Sequence, residues 1–396
     1  MEEHPQARFI IETLAQNGFV AYYAGGWVRD FLLKHPSDDI DIATNAPPET
    51  IQALFPKTVP IGIAFGIILV VIEGHEYEVA TFRSDLDYQD GRRPSRIEFT
   101  TAIEDAKRRD FTINGMFYDP LRSQILDYVG GQEDLKRRTI RAIGDPHQRI
   151  REDRLRMIRA IRLSCRFDFA IDPETQAAIR AHATELFPAV AIERIVQELE
   201  KGLSFGKLDT MLVSLHEFGL LSSIFPELKN TTIVQIQERL AVLKHFPKQA
   251  PLIAWLLELF TEPHPNLAQQ LKLPTYQHRF AQILTHAKNW IDKPDISLYE
   301  WAHFYAHPFA SLVLQILAAH HLKSDFTSIH HQRQMLLARQ IERIQTKNPV
   351  IQAADLTAAG ILPGTEMGRL LKQAEQIAIN EQLENKNTIL RRLFTQ

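Results

Sequence analysis

Cysteine is almost absent. The 396-residue chain holds one, Cys165, which excludes an internal disulfide framework and any cysteine-cluster zinc site. Long apolar runs are missing as well. The longest, Ile61 to Ile72, has 12 residues and includes two glycines, too short to span a bilayer. The opening MEEHPQARFI is acidic and has no apolar signal core, so a cytoplasmic, non-membrane protein is expected. Neither sign of charge dominates. The formal net charge is −3, so overall charge does not mark a nucleic-acid binder. Fixed-period repeats and low-complexity tracts are also absent.

What remains is ordinary globular composition, 45% hydrophobic and 23% charged, and a length that suggests two to four domains. Residues 1 to about 140 alternate helix and strand signals. IILVVI (Ile67–Ile72) reads as a strand buried on both faces. EYEVATF (Glu76–Phe82) follows it after a hairpin turn at Gly74-His75. Lone strands are expected at Asp39–Ala43 and Ser123–Tyr128. Beyond about 140, helical periodicity takes over, as in Leu155, Ile158, Ile161 and Cys165. FPELKN and FTEPHPN punctuate that helical part.

In YYAGGWVRD, two glycines open the helix WVRDFLLK. Gly25 and Gly26 would let backbone approach a phosphate, helix N–H groups would meet it, and Arg29 adds a guanidinium. Alone, the pattern serves a plain turn equally well. DDIDIAT sharpens it. On a strand, Asp39 and Asp41 project to one face while Ile40 and Ile42 point to the core. Adjacent carboxylates repel unless a cation lies between them, and paired hard oxygens suit Mg²⁺ with substrate phosphates. A solvated strand end remains the alternative on these residues alone.

Taken together, GGWVRD and DDIDIAT resemble the signature of the polymerase-β-type nucleotidyltransferase superfamily. The closer resemblance is to the class II tRNA nucleotidyltransferase and bacterial poly(A) polymerase family. It implies an α+β head with a small mixed sheet, followed by an all-α neck, body and tail. Expected boundaries are head 1–139, neck 140–205, body 206–300, and an RNA-binding tail 301–396. It also implies Mg²⁺ held by Asp39 and Asp41, a primer 3′-hydroxyl, and in-line displacement at the α-phosphate of CTP or ATP.

Further motifs extend the resemblance. KRRDFTINGM (Lys107–Met116) matches the second motif, with Gly115 where the family usually has Ala. It implies ribose and phosphate contacts by Arg109, Asp110 and Asn114. DYVGG (Asp127–Gly131) matches a third motif, a strand end and turn. REDRLRMIRAIRLSCRF (residues 151–167) resembles the nucleotide-recognition motif, with Asp153, Arg156, Arg159 and Arg162 at neighbouring helical positions. Residues 137–166 hold ten arginines, three acids and no lysine. Arginine without lysine suits forked bonding to phosphates or bases. Asp153 can accept from the amino group of cytosine or adenine while Arg156 donates to the ring nitrogen. Uracil and guanine present the reverse order, so one protein edge selects C and A without a nucleic-acid template. AIERIVQELEKGL (Ala191–Leu203) matches a fifth motif whose Glu193, Arg194, Glu198, Glu200 and Lys201 read as bracing between helices.

The second half resembles the family only loosely. Pro363-Gly364 and Gly368 precede an amphipathic helix, which serves either as an RNA phosphate contact through Arg369 or as a capped helix hairpin. His320, His321, His330 and His331 read as helix-surface residues. No His-Asp doublet occurs, so the phosphohydrolase appendage of some relatives is absent.

Three activities lie close within the family: full CCA addition to tRNA, partial addition (CC or A only), and poly(A) polymerisation. Relatives that add only CC lack a flexible loop between the first two motifs. Polar, turn-rich SDLDYQDGRRP (Ser84–Pro94) stands there, so A addition is expected. VPIGIAFGIILVV replaces the Arg-rich segment of proteobacterial poly(A) polymerases, which favours tRNA as substrate. A catalytically retired RNA-binding protein is the contrasting class, and the intact Asp39, Asp41, Asp153 and Arg156 argue against it.

Overall fold

The computed structural model describes residues 4–35, 37–62, 65–88, 94–322 and 325–395. The chain forms two compact units, Met1–Ile236 and Gln237–Gln396.

The first unit opens with helix α1 (Pro5–Gln16), which buries Ala7, Ile10, Ile11 and Leu14 along one stripe. A seven-stranded mixed sheet follows: β1 (Ala21–Ala24), β2 (Asp41–Thr44), β3 (Thr58–Gly62), β4 (Ile67–Ile72), β5 (His75–Thr81), β8 (Phe117–Asp119) and β9 (Gln124–Leu126). Its order is β3-β4-β5-β2-β1-β8-β9. Only β2 and β5 pair in parallel; the other pairs are antiparallel. Phe82 and Phe117, nearly inaccessible, pack with Ala24, Ala43 and Ala106 against one side.

Several strand expectations shift. β2 starts at Asp41 rather than Asp39, because its partner β1 ends at Ala24, opposite Asp41. In β4, Ile68 and Val70 are fully buried, while on the other face Val71 is buried and Ile67 and Leu69 are half-buried, so the second face is only partly covered. The β4–β5 turn is Glu73-Gly74, both at positive φ, the pairing expected of a two-residue hairpin. SDLDYQDGRRP is mostly not a loop. Its arms are β6 (Arg83–Tyr88) and β7 (Pro94–Phe99), an antiparallel pair from Arg83↔Phe99 to Tyr88↔Pro94. Leu86, Tyr88, Ile97 and Phe99 carry the period-two pattern that signals strands. The tip, residues 89–93, lies outside the described residues.

Helices build the rest of this unit. α2 (Gly26–Leu32), α3 (Pro48–Leu54), α4 (Ala102–Lys107) and α5 (Gly131–Lys136) belong to the head. α6 (Pro146–Glu152), α7 (Leu155–Phe167), α8 (Pro173–His182), α9 (Ile192–Ser204), α10 (Leu208–Glu217) and α11 (Leu220–Ile224) follow. α7 buries Leu155, Ile158 and Ile161 and α9 buries Ile192, Ile195, Val196 and Leu199. These two helices pack together, and α10 packs on both. The first unit therefore runs past residue 205.

The second unit is helical. One of its cores gathers Leu356, Met367, Leu370, Ala374, Ile377, Ile389 and Leu393. His330 is a correction: it is buried, bonded to the Tyr305 hydroxyl at 2.7 Å, and burial with nearby Arg333 pushes its imidazole down to about 4. Trp301, Tyr305 and Phe326 surround it, and aromatic neighbours at that spacing were the signal for a core position. His320 and His331 are exposed. Gly368 lies inside helix Thr365–Asn380 rather than before it, and Gly364 is the cap. Arg369 there pairs with Glu366. Among the described residues, no helix is long and apolar enough to cross a membrane.

Candidate active site

Where β1 ends, the chain must turn tightly beside β2. Gly25 does this at φ +68°, and a Cβ there would stand 3.0 Å from an Arg109 nitrogen and 3.6 Å from Asp41 Oδ2. Both the backbone angle and the crowding require glycine. α2 then starts at Gly26 and carries Arg29 and Asp30 in its first turns, both buried.

This turn opens onto a cleft of about 580 Å³ within the first unit. Every site residue expected from the sequence lines it: Gly25, Gly26, Arg29, Asp39, Asp41, Arg109, Asp110, Asn114, Asp153, Arg156, Arg159 and Arg162. The cleft adds five charged or aromatic residues to that set: Glu78, Arg108, Arg166 and Phe205, to which the sequence assigned no role, and Lys201, expected to brace helices. Glu78 comes from β5, whose Val79 pairs with Ile42 in parallel register, so Glu78 and Asp41 share a face of neighbouring strands.

The carboxylate end is electrostatically strained. Burial, then Asp39 and Glu78, push the Asp41 carboxyl up to about 6, against the opposing pull of Arg109. A divalent cation would relieve that repulsion, and the donors are hard oxygens. No group of three or more side chains among the described residues is arranged to enclose a metal by itself. Asp39 and Asp41 therefore fit the pattern of two carboxylates completed by substrate phosphates.

A continuous polar network forms the opposite chemistry. Arg29 donates to Asn114 Oδ1, Asn114 donates to Asp110 Oδ1 at 3.1 Å, and Arg159 lies 2.9 Å from Asp110 Oδ2. Burial works to raise the Asp110 carboxyl, but Arg159, Asn114, Arg156 and the Phe111 N–H outweigh it and hold it below the usual carboxylate range. Burial lowers the Arg29 guanidinium to about 10, with Asp30 opposing. Arg109 is held by Asp105. Gly115 follows Asn114 where a Cβ would meet Val129 Cγ2 at 2.7 Å, which is the packing reason for glycine at that place.

The recognition segment differs from one continuous helix. Asp153 caps α6 with φ −149°, and α7 begins at Leu155. Asp153 Oδ1 accepts the Leu155 N–H at 3.1 Å, so the carboxylate starts the second helix by satisfying a free donor. Arg194 of α9 grips both Asp153 oxygens at 3.2 and 2.8 Å. Arg156 donates to Glu152, to the Arg149 carbonyl and to the Arg108 carbonyl. Arg162 pairs with Glu198 at 2.5 Å, both side chains under a tenth exposed. The fifth motif thus braces the recognition helix through Arg194 and Glu198.

The chain is similar to known proteins along nearly its whole length. Residues 21–141 match the model of the poly A polymerase head domain, and residues 168–231 match the model described as the probable RNA and SrmB-binding site of polymerase A. A CCA-adding enzyme of Anoxybacillus flavithermus is 33% identical, with 98% of this chain and 96% of that protein covered. Among solved structures, the Bacillus stearothermophilus CCA-adding enzyme in complex with CTP superposes with a TM-score of 0.80 at 30% identity, covering 98% and 97% of the two chains. The Thermotoga maritima CCA-adding enzyme complexed with tRNA shares the fold, with a TM-score of 0.67 at 21% identity over 98% and 94%.

Proposed function

The chain belongs to the CCA-adding enzyme family, and from that premise we propose that its cleft adds C and A from CTP and ATP to the 3′ end of tRNA without a nucleic-acid template. The carrying observation is the joining, in one cleft, of the Asp39–Asp41 pair with the arginine row of α7 and the Gly25-Gly26 turn.

The head, 1–139, performs the transfer; the neck, 140–205, reads the base; beyond the helical body, 206–300, the tail, 301–396, binds RNA. Asp39 and Asp41 hold Mg²⁺, with the Glu78 charge adding to the field. When bound, the cation neutralises phosphate charge and lowers the pKa of an attacking hydroxyl. Arg109, Arg159 and Arg162 face the triphosphate, and Arg29 and Asn114 fix the wall that carries Arg159. Asp153 accepts from the exocyclic amino group of C or A through lone pairs that Arg194 leaves free. Arg156 donates to the ring nitrogen from the N–H groups not engaged by Glu152 and the two carbonyls. Uracil would set its carbonyl against the Asp153 carboxylate, a buried mismatch costing about 1–3 kcal/mol.

The test offers purified protein and Mg²⁺ three tRNAs, ending at the discriminator base, at C and at CC, each with CTP, ATP, GTP or UTP. An unstructured RNA primer runs beside them. Ordered C, C, A addition to tRNA supports the reading. Long A tails on the unstructured primer, or no addition, overturn it.

A further inference from the structure

Phe205 and Lys201 stand at the cleft mouth with no part in the chemistry described so far. They lie one turn apart at the C-terminal end of α9 and both line the cleft. Phe205 is 40% exposed, and the Lys201 side chain is 58% exposed. Resting on the proposed function above, we infer that this pair holds the RNA primer: Phe205 stacks a base near the 3′ end and Lys201 contacts a backbone phosphate.

Three observations carry this. First, the Phe205 ring is held in place. The Arg166 guanidinium lies 4.1 Å from its centroid, and that guanidinium is itself fixed by Asp30 at 3.0 Å and by the Phe167 ring at 4.6 Å. A ring already held by a guanidinium, yet 40% exposed, loses little freedom when a base stacks on it.

Second, the incoming nucleobase is out of reach. The base-reading Asp153 is gripped by Arg194 at the start of α9. Phe205 lies about three turns further, roughly 16 Å at about 1.5 Å per residue. A base seated on Asp153 cannot also stack there, so the base on Phe205 comes from another strand.

Third, Lys201 has charge to spare. Each arginine lining the cleft has a carboxylate within 3.1 Å. Among the described residues Lys201 pairs only with Glu198, at 3.7 Å, and Glu198 is held more closely by Arg162 at 2.5 Å. A lysine point charge beside an aromatic is the pairing that tracks single-stranded nucleic acid. Both residues fall inside the 168–231 segment matched by the model for RNA binding.

The experiment measures two affinities on the full-length protein: Kd for tRNA ending in CC, and Kd for CTP without RNA. Phe205→Ala should weaken tRNA binding roughly five- to 150-fold, the range of one base–aromatic stack, and leave CTP binding within about two-fold. Phe205→Trp should restore tRNA affinity. Lys201→Gln should reduce the slope of log Kd against log salt by about one unit. Unchanged tRNA affinity in Phe205→Ala overturns the inference, as does a CTP loss equal to the tRNA loss, which would move Phe205 into the nucleotide site. Wild-type protein that binds CTP but not tRNA would overturn the proposed function itself, and this inference with it.

Discussion

Arg194 holds Asp153 by both carboxylate oxygens, at 3.2 and 2.8 Å, from a helix that begins some forty residues later in the chain. The grip fixes the plane of the carboxylate and leaves the remaining lone pairs aimed in a set direction. Arg194→Gln should therefore free Asp153 to rotate and should relax base choice. The expected result is a roughly ten-fold rise in kcat/KM for UTP relative to CTP, within the 1–3 kcal/mol or so of a bidentate base contact. Identical four-way ratios in wild type and variant would show that Arg194 only supports the fold.

Asp41 links pH to stability and, in the proposed role, to metal binding. Its folded carboxyl sits at about 6 against an ordinary 3.8, chiefly through burial. The ionised form is thus disfavoured in the fold. That penalty is absent well below pH 4, grows between 4 and 6, and is complete above. Without metal, Asp41→Asn should stabilise the protein at pH 7.5 by on the order of 3 kcal/mol, with the gain fading toward pH 4. Mg²⁺ affinity of the wild type should rise through the same window. Thermal melts with and without Mg²⁺ at pH 4.5, 6 and 7.5 check both signs.

Asp39→Ala and Asp41→Ala should each abolish transfer of both CTP and ATP while the protein stays folded. In the proposed role both would act at the metal rather than at the base, so no nucleotide should be spared. Single-turnover incorporation at saturating nucleotide reads this directly, and near-wild-type rates in either variant would contradict the metal assignment.

The Arg162–Glu198 pair separates stability from function. Both side chains are nearly sealed, so Glu198→Gln strands a buried guanidinium and should cost about 3–5 kcal/mol in urea unfolding. Replacing both, Arg162→Met with Glu198→Leu, should recover most of that stability yet still lose triphosphate affinity. A double variant that binds CTP normally would remove Arg162 from the nucleotide site.

Gly115 tests a departure from the family pattern. Gly115→Ala puts a Cβ 2.7 Å from Val129 Cγ2 and 3.0 Å from Ile143 Cδ1, an overpacking that should cost about 1–3 kcal/mol. Val129→Ala in the same chain should return most of it. Equal melting temperatures for Gly115→Ala and wild type would show that the neighbours move aside freely.

Local signals were readable wherever chemistry and spacing coincide in a short segment. Asp39 and Asp41 stand two apart before a β-branched run, and Arg156, Arg159 and Arg162 repeat every three residues; all line the cleft. Non-local pairing was not readable. Glu78 looks like an ordinary polar position in an alternating strand, and only the parallel β2–β5 register brings it beside Asp41. The break at Asp153 has no glycine or proline to announce it. It arises because the side chain caps α7 and is drawn to Arg194, a partner on another element. Arg166 and Phe205 were hidden for the same reason, and Lys201 read as a brace, since their shared cleft exists only once α7 packs on α9.

The seven arginines of the cleft share five carboxylates, Asp30, Asp105, Asp110, Glu152 and Glu198. An arriving triphosphate consequently meets an exchange reaction rather than an empty cationic field. A phosphate contact weakens an internal ion pair, so the charge relieved per contact is smaller than at a free guanidinium. Simple monoanions have little to gain from such a wall, and only a ligand that engages several guanidinium groups at once can outcompete the resident carboxylates. Selectivity for polyphosphate over the inorganic phosphate and sulfate of a cell then comes from the internal pairs themselves.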